Sequence, residues 1–139
     1  MKKILFLLLT LCLTGKGLTA QKVIDINNDS TRVFTKAEKM PMFKGGDTAW
    51  IHFLNKNLKY PPEAIDNEMK GTVIVGFIVN TDGTLSNVEA ISSPGKPLSA
   101  EGIRILTLSS GNWLPATQNG QTVRCYAKKP IQFRLSVVN

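Results

Sequence analysis

The chain has 139 residues, of which 42% are hydrophobic, and 17 Lys and Arg against 10 Asp and Glu give a formal charge of +7. This hydrophobic content excludes a wholly disordered chain, and the length supports one compact domain. The modest positive charge favours an acidic partner or an anionic surface and does not indicate nucleic-acid binding.

Residues 1–20 have the pattern of a secretory signal peptide. Lys2-Lys3 precede the apolar run Ile4–Leu13, and the small-residue site Leu18-Thr19-Ala20 follows it. We expect cleavage after this site and export of the mature chain. Two alternatives stay open: an uncleaved membrane anchor, although spanning a bilayer takes roughly twenty apolar residues, and a lipoprotein signal at Cys12, which lacks the small residue expected before it.

Cleavage would leave a lead-in segment and one folded domain. Residues 21–44 are mostly polar and predict a short exposed lead-in, with a strand at Arg32-Val33-Phe34 as an option. The domain is expected over residues 45–139. Cys125 would be its single cysteine, so the fold would have no intramolecular disulfide and would depend on its apolar core.

The domain is predicted to begin with a turn and a helix. Gly45-Gly46 marks the turn, and Asp47 is a favourable N-cap for a helix over Thr48–Leu58. The helical period puts the apolar side chains of this helix on one broad face: Trp50, Ile51, Phe53, Leu54 and Leu58.

A β-hairpin is the most clearly predicted element. Tyr60-Pro61-Pro62 ends the first helix, and Glu63–Met69 predicts one or two further helical turns. Gly71–Ser92 then predicts the hairpin, because a β-branched and aromatic run leads into the turn Asp82-Gly83 and a second strand follows.

A second helix and two turns follow the hairpin. Leu98–Ser109 has helical spacing, although Gly102 weakens that helix by roughly 1 kcal/mol relative to alanine. Gly111–Pro115 predicts a loop in which Trp113 caps the core, and Asn119-Gly120 predicts a tight turn.

The last strand is predicted from Val123 to Val137, with apolar side chains at the odd positions except Lys129. The even positions include Arg124, Lys128 and Arg134, which form either a solubilising face or a binding surface. Pro130 has no N–H to donate to a ladder, and this places the strand at an edge.

These elements predict an α+β fold. The hairpin and the long edge strand, with a helix between them in the chain, would form a three-stranded antiparallel sheet with the helices packed on one face. An open edge strand can also pair with a second copy, so a homodimer through that edge stays open.

Residues that carry enzymatic chemistry are few. His52 is the one histidine and is predicted to face solvent, which leaves neither a zinc site nor a Ser-His-Asp triad. Cys125 lies among apolar positions and predicts a buried, inert thiol, and Gly45-Gly46-Asp47 lacks the lysine of a phosphate loop. The acidic side chains are scattered and expected to be solvated: Glu63, Asp66, Glu68 and Glu101. The sequence therefore predicts no enzyme, metal or cofactor.

The order and spacing of five short motifs resemble the TonB C-terminal domain family. The resemblance extends from about Gly45 to Leu135, and it lies in the succession of motifs because none is specific alone. The motifs are Asn57-Leu58-Lys59-Tyr60-Pro61, Gly71-Thr72-Val73, Asp82-Gly83, Trp113-Leu114-Pro115 and Pro130-Ile131-Gln132-Phe133-Arg134-Leu135.

This resemblance implies a periplasmic domain that binds the plug or the N-terminal box of a TonB-dependent outer-membrane transporter and takes part in energy-dependent transport. In that family the box adds as a strand to the last strand of the domain, which agrees with the edge predicted from Pro130. The expected partner-binding residues are Asn57, Leu58, Lys59 and Tyr60 at the Tyr-Pro motif, and Arg124, Tyr126 and Lys128 on the last strand.

The lead-in leaves a second function open. Full transducers of this family have a membrane anchor and a long proline-rich spacer, whereas residues 21–44 are too few to reach across the periplasm. The chain would then act as a short transducer or an accessory, or as a periplasmic scaffold or regulatory module without energy coupling.

Overall fold

The computed structural model describes residues 31–136, and the chain from Val33 onward forms one unit. The signal-peptide prediction and the first part of the lead-in lie outside the described residues. The α+β fold class is confirmed. The elements in chain order are β1 (Val33–Phe34), β2 (Met42–Phe43), α1 (Gly46–Asn57), α2 (Pro62–Asp66), β3 (Gly71–Val79), β4 (Leu85–Ser92), α3 (Lys96–Leu108), β5 (Trp113–Leu114), β6 (Ala116–Gln118) and β7 (Gln121–Phe133).

The predicted hairpin is confirmed as the antiparallel pair β3–β4. Gly83 has φ of 86° in the turn, and the Asp82 carboxylate accepts the Thr84 N–H at 3.0 Å. Alternate side chains of β3 point into the core, and these residues are fully buried: Val73, Val75, Phe77 and Val79. The hairpin therefore supplies the central part of the core.

Helix α1 begins two residues earlier than the sequence suggests. Gly45 is the N-cap, in a left-handed conformation with φ of 90° that glycine adopts without steric cost. The predicted N-cap, Asp47, is wrong: it lies in the first turn, and the helix has no side-chain capping bond. A carboxylate in the first turn still favours the helix through the dipole.

The buried face of α1 is narrower than predicted. Trp50 is buried, with its ring 5.2 Å from Phe43 in an edge-to-face contact. Phe53 and Leu54 are partly buried against the same cluster, whereas Ile51 is 55% exposed. Ile51 shares the apolar face but stays exposed, because only the side of α1 that meets Phe43 and its neighbours is covered.

Helix α3 packs closely on β3 because of Gly102. A Cβ atom at this position would lie 3.0 Å from Val73 Cγ1 and 3.2 Å from Val75 Cγ2. The close packing that glycine permits here offsets its low helix propensity. Leu98, Ile105 and Leu106 of the same helix are fully buried.

Trp113 caps the core as predicted, but part of its loop is a strand. β5 pairs antiparallel with β2, and Trp113 lies opposite Phe43. The indole is 3% exposed, and its Nε1 donates to Ser109 Oγ at 2.9 Å. This hydrogen bond satisfies the one polar atom of a buried side chain.

The sheet has more strands than predicted. Its order is β1-β7-β3-β4, and β6 pairs with the beginning of β7, which makes five strands where three were expected. The optional lead-in strand is confirmed as β1, which runs parallel to β7 with Val33 opposite Arg124. As a result, β7 is an edge strand over only part of its length.

Candidate functional site

The two halves of β7 differ in what lies on their outer side. β3 pairs with β7 along Cys125–Phe133. On the other side, β1 pairs with Arg124 and Cys125. β6 pairs with Gln121–Val123, at the beginning of the strand. Within residues 31–136, no strand pairs with the outer side of Tyr126–Phe133. This stretch, here called the open edge, presents backbone C=O groups and, except at Pro130, backbone N–H groups to an incoming chain.

A groove runs between the open edge and helix α1. Its volume is about 680 Å³. Trp50, Ile51 and Leu54 of α1 line one side, and Lys129 and Pro130 belong to the opposite, strand side. The exposed Ile51 gives the groove an apolar wall where a strand added to the open edge would place alternate side chains.

Lys129 gives the groove a positive charge. Its ammonium lies 5.4 Å from the centre of the Trp50 ring and 3.8 Å from the Asp47 carboxylate. Asp47 is 95% exposed, so the ion pair is weak and open to exchange with another anion. A cation–π contact with the Trp50 ring also holds the Lys129 side chain near the groove.

Tyr60 brings the Tyr-Pro motif to the end of the open edge. Its ring meets Phe133 edge to face, with centroids 5.5 Å apart, and its hydroxyl donates to the Met69 carbonyl. The structure therefore places the predicted segment Asn57–Tyr60 beside the last residue of β7.

The rest of that segment is held by main-chain hydrogen bonds. Leu58 N–H donates to the Leu54 carbonyl at 2.8 Å, and Lys59 N–H donates to Glu101 Oε2 at 2.7 Å. Asn57 and Leu58 are half-buried, and Lys59 is exposed. The side chain of Lys59 is thus the one in this segment that is most available to a partner.

Glu101 is the functional candidate that the sequence did not reveal. The prediction that it is solvated is wrong, because the residue is 7% exposed on α3. Its burial raises the pKa of the carboxyl, but hydrogen bonds from Arg104 and the Lys59 N–H, together with their positive charges, outweigh burial and lower the pKa overall. The available signal in the sequence was the i, i+3 spacing of Glu101 and Arg104, which allows an ion pair on one face of a helix.

The three residues predicted on the last strand separate into two groups. Arg124 lies in the covered half, and its Nε donates to Asn80 Oδ1 at 2.9 Å. Tyr126 begins the open edge, and its ring leaves no room for a side chain at Gly76 of β3. Lys128 is exposed on the open edge. The structure therefore ties Arg124 to the hairpin turn and leaves Lys128 for contact.

Catalytic and metal-binding groups are sparse in the described part of the chain. Residues 31–136 contain no group of His, Cys, Asp and Glu that could hold a metal ion. His52 is exposed. Cys125 is fully buried, and burial raises the pKa of its thiol, which keeps the sulfur in its unreactive form.

None of the helices between residues 31 and 136 has both the length and the apolar composition needed to cross a membrane.

Comparison with known proteins identifies one family. The family model for the Gram-negative bacterial TonB protein C-terminal matches residues 56–135. The solution structure of the Helicobacter pylori TonB C-terminal domain (residues 179–285) is similar, with a TM-score of 0.51 and 19% identity over 63% of this chain and 78% of that one. The Pseudomonas aeruginosa TonB C-terminal domain gives a TM-score of 0.45 and 20% identity over 60% and 83%. The curated proteins contain no match.

Proposed function

Since the chain belongs to the family of Gram-negative bacterial TonB C-terminal domains, we propose that it binds the N-terminal box of an outer-membrane transporter by strand addition to the open edge. Domains of this family act in energy-coupled transport and are interaction domains of the periplasm. We place this chain in the periplasm and assign it a part in that transport, as a short transducer or an accessory.

The observation that carries the proposal is the unpaired outer side of Tyr126–Phe133. An added strand would form main-chain hydrogen bonds with this stretch, which supply affinity without regard to sequence. In the neighbouring half of β7, β1 occupies the outer side at Arg124 and Cys125. A peptide would therefore be confined to the half of the strand that lies next to the groove.

The groove supports a preference among peptides. In an added strand, side chains alternate between the two faces of the sheet, so every second one would meet the wall formed by α1. Ile51 and Leu54 offer that side chain an apolar contact, and Lys129 lies close by. We therefore expect apolar residues at alternate positions of the bound segment.

Photo-crosslinking in cells tests this proposal. A photoreactive amino acid is placed at Lys128, an exposed position of the open edge, and in a control at Thr122, an exposed position of the same strand opposite β6. We expect transporter N-terminal segments to be captured from position 128 and not from position 122.

Three other results would contradict the proposal. Equal capture at both positions would mean contact without strand addition. Capture of a second copy alone would assign the open edge to a homodimer. Capture of soluble periplasmic proteins alone would indicate a scaffold without energy coupling.

A further inference from the structure

Two side chains of α3 hold the segment Asn57–Tyr60 by its main chain. Glu101 Oε2 accepts the Lys59 N–H at 2.7 Å, and Arg104 Nη2 donates to the Asn57 carbonyl at 2.7 Å. Both bonds cross from α3 to the turn that follows α1. The bond to Asn57 satisfies a carbonyl that helix α1 leaves unpaired at its C-terminal end, and the bond to Lys59 satisfies a backbone N–H just beyond the helix.

The two side chains also hold each other. Arg104 Nε lies 2.7 Å from Glu101 Oε1, and Arg104 Nη2 lies 2.7 Å from Glu101 Oε2. This two-point pairing fixes the plane of the guanidinium and therefore the direction of its bond to Asn57. Glu101 is 7% exposed, so its oxygens are directed at these partners with little competition from water.

The far end of the segment is fixed by different contacts. The Tyr60 hydroxyl donates to the Met69 carbonyl, and its ring rests on Phe133 at the end of the open edge. With both ends fixed, the exposed side chain of Lys59 is held in a defined place relative to that edge.

The carboxylate of this ion pair is buried, whereas the arginine side chain is 42% exposed. Apolar residues of similar size often stabilise a fold as well as such a pair does, so stability alone does not account for it. We propose that Glu101 and Arg104 are positioning residues that hold Asn57–Tyr60 in the conformation that contacts the partner bound at the open edge. The proposal rests on the function proposed above, because it needs a partner at that edge.

The expected size of the effect follows from the backbone that the pair orders. Releasing one residue from a single backbone conformation costs roughly tenfold in affinity when binding must order it again. The loss should appear in the association rate, because the fraction of molecules that is ready to bind decreases. A change in global stability alone would not have this kinetic signature.

The test uses the full chain, as it exists after any processing, and synthetic peptides that cover the N-terminal segments of outer-membrane transporters. Glu101→Gln keeps the shape of the side chain and removes its negative charge. It also presents an amide N–H to Arg104 in place of a carboxylate oxygen. Glu63→Gln is the control, because Glu63 is an exposed carboxylate that lines a second cleft together with Glu101 and Arg104. Peptide association and dissociation rates are measured together with hydrogen exchange of the Lys59 amide.

We expect Glu101→Gln to speed exchange at Lys59 and to slow peptide association about tenfold, while Glu63→Gln behaves like the unmodified chain. If Glu101→Gln does not fold, Arg104→Lys takes its place, since an ammonium cannot reproduce the planar contacts. Faster exchange at Lys59 with an unchanged association rate in Glu101→Gln would overturn the positioning role and leave strand addition intact. An equal loss of association rate in Glu63→Gln would have the same meaning. Absence of peptide binding by the unmodified chain would reject both proposals.

Discussion

Replacing Ile51 with threonine should weaken peptide binding without unfolding the domain. Ile51 lines the groove and is 55% exposed, so about half of its side chain can still be covered by a ligand. Complete burial of an isoleucine contributes roughly 1.5–3 kcal/mol, and covering half of one contributes about 1 kcal/mol. Ile51→Thr should therefore raise the Kd about fivefold.

Ile65→Thr is the matched control. Ile65 is 49% exposed on α2 and does not line the groove. Both substitutions lie at exposed helix positions, where changes of stability are usually within about 0.5 kcal/mol. Calorimetric titration with a transporter N-terminal peptide measures the two affinities, and urea unfolding verifies that both variants remain folded.

The reasoning would be refuted by an unchanged Kd in Ile51→Thr, because the peptide would then lie outside the groove. It would also be refuted by the same loss of affinity in both variants, since such a loss would not depend on where the side chain lies.

Four further outcomes follow from individual side chains. The pKa of Glu101 is lowered in the folded state, so its stabilising contribution is complete above the ordinary carboxyl pKa and is lost as pH falls through the lowered value. Urea unfolding across a pH series should therefore show that acid lowers the free energy of unfolding less in Glu101→Gln than in the unmodified chain. Burial and the raised pKa of Cys125 should make its thiol react with a chromogenic disulfide reagent far more slowly in the folded protein than in urea. Gly76→Ala should lower the free energy of unfolding by about 1–3 kcal/mol, because the new methyl group meets the Tyr126 side chain; an unchanged urea midpoint would contradict this. Arg124→Ala removes a charged hydrogen bond to the hairpin turn and should also cost about 1–3 kcal/mol, measured in the same way.

Local sequence signals predicted the hairpin and missed the contacts between distant residues. The turn Asp82-Gly83 and the strands beside it form from neighbours in the chain, so their pattern is visible in one window. β1 pairs with residues that lie far away in sequence, and the sequence of a two-residue strand does not indicate which strand it pairs with. The covered half of β7 could therefore not be distinguished from the open half.

The exposure of Ile51 and the burial of Glu101, which the sequence did not reveal, have related causes. Helical periodicity defines a face but not the width of the surface that covers it. Ile51 belongs to the apolar face of α1, yet it lies beside an edge where the sheet ends, so it stays exposed. Glu101 lies among the buried positions of α3, and its main-chain partner Lys59 is 42 residues away. An acidic residue is predicted to be solvated unless such a partner is known.

The division of β7 reconciles two opposing demands on an edge strand. A fully unpaired strand would invite association with other strand edges, and a fully paired one could not accept a peptide. Here β1 covers the outer side at Arg124 and Cys125, and the open half carries Lys128, Lys129 and Pro130 in succession. Charged side chains and proline oppose uncontrolled pairing. A peptide whose apolar side chains pack against Ile51 gains contact that offsets the unfavourable effect of these charges and of the proline. A strand without such side chains does not gain it. The same residues that protect the edge thus give it selectivity.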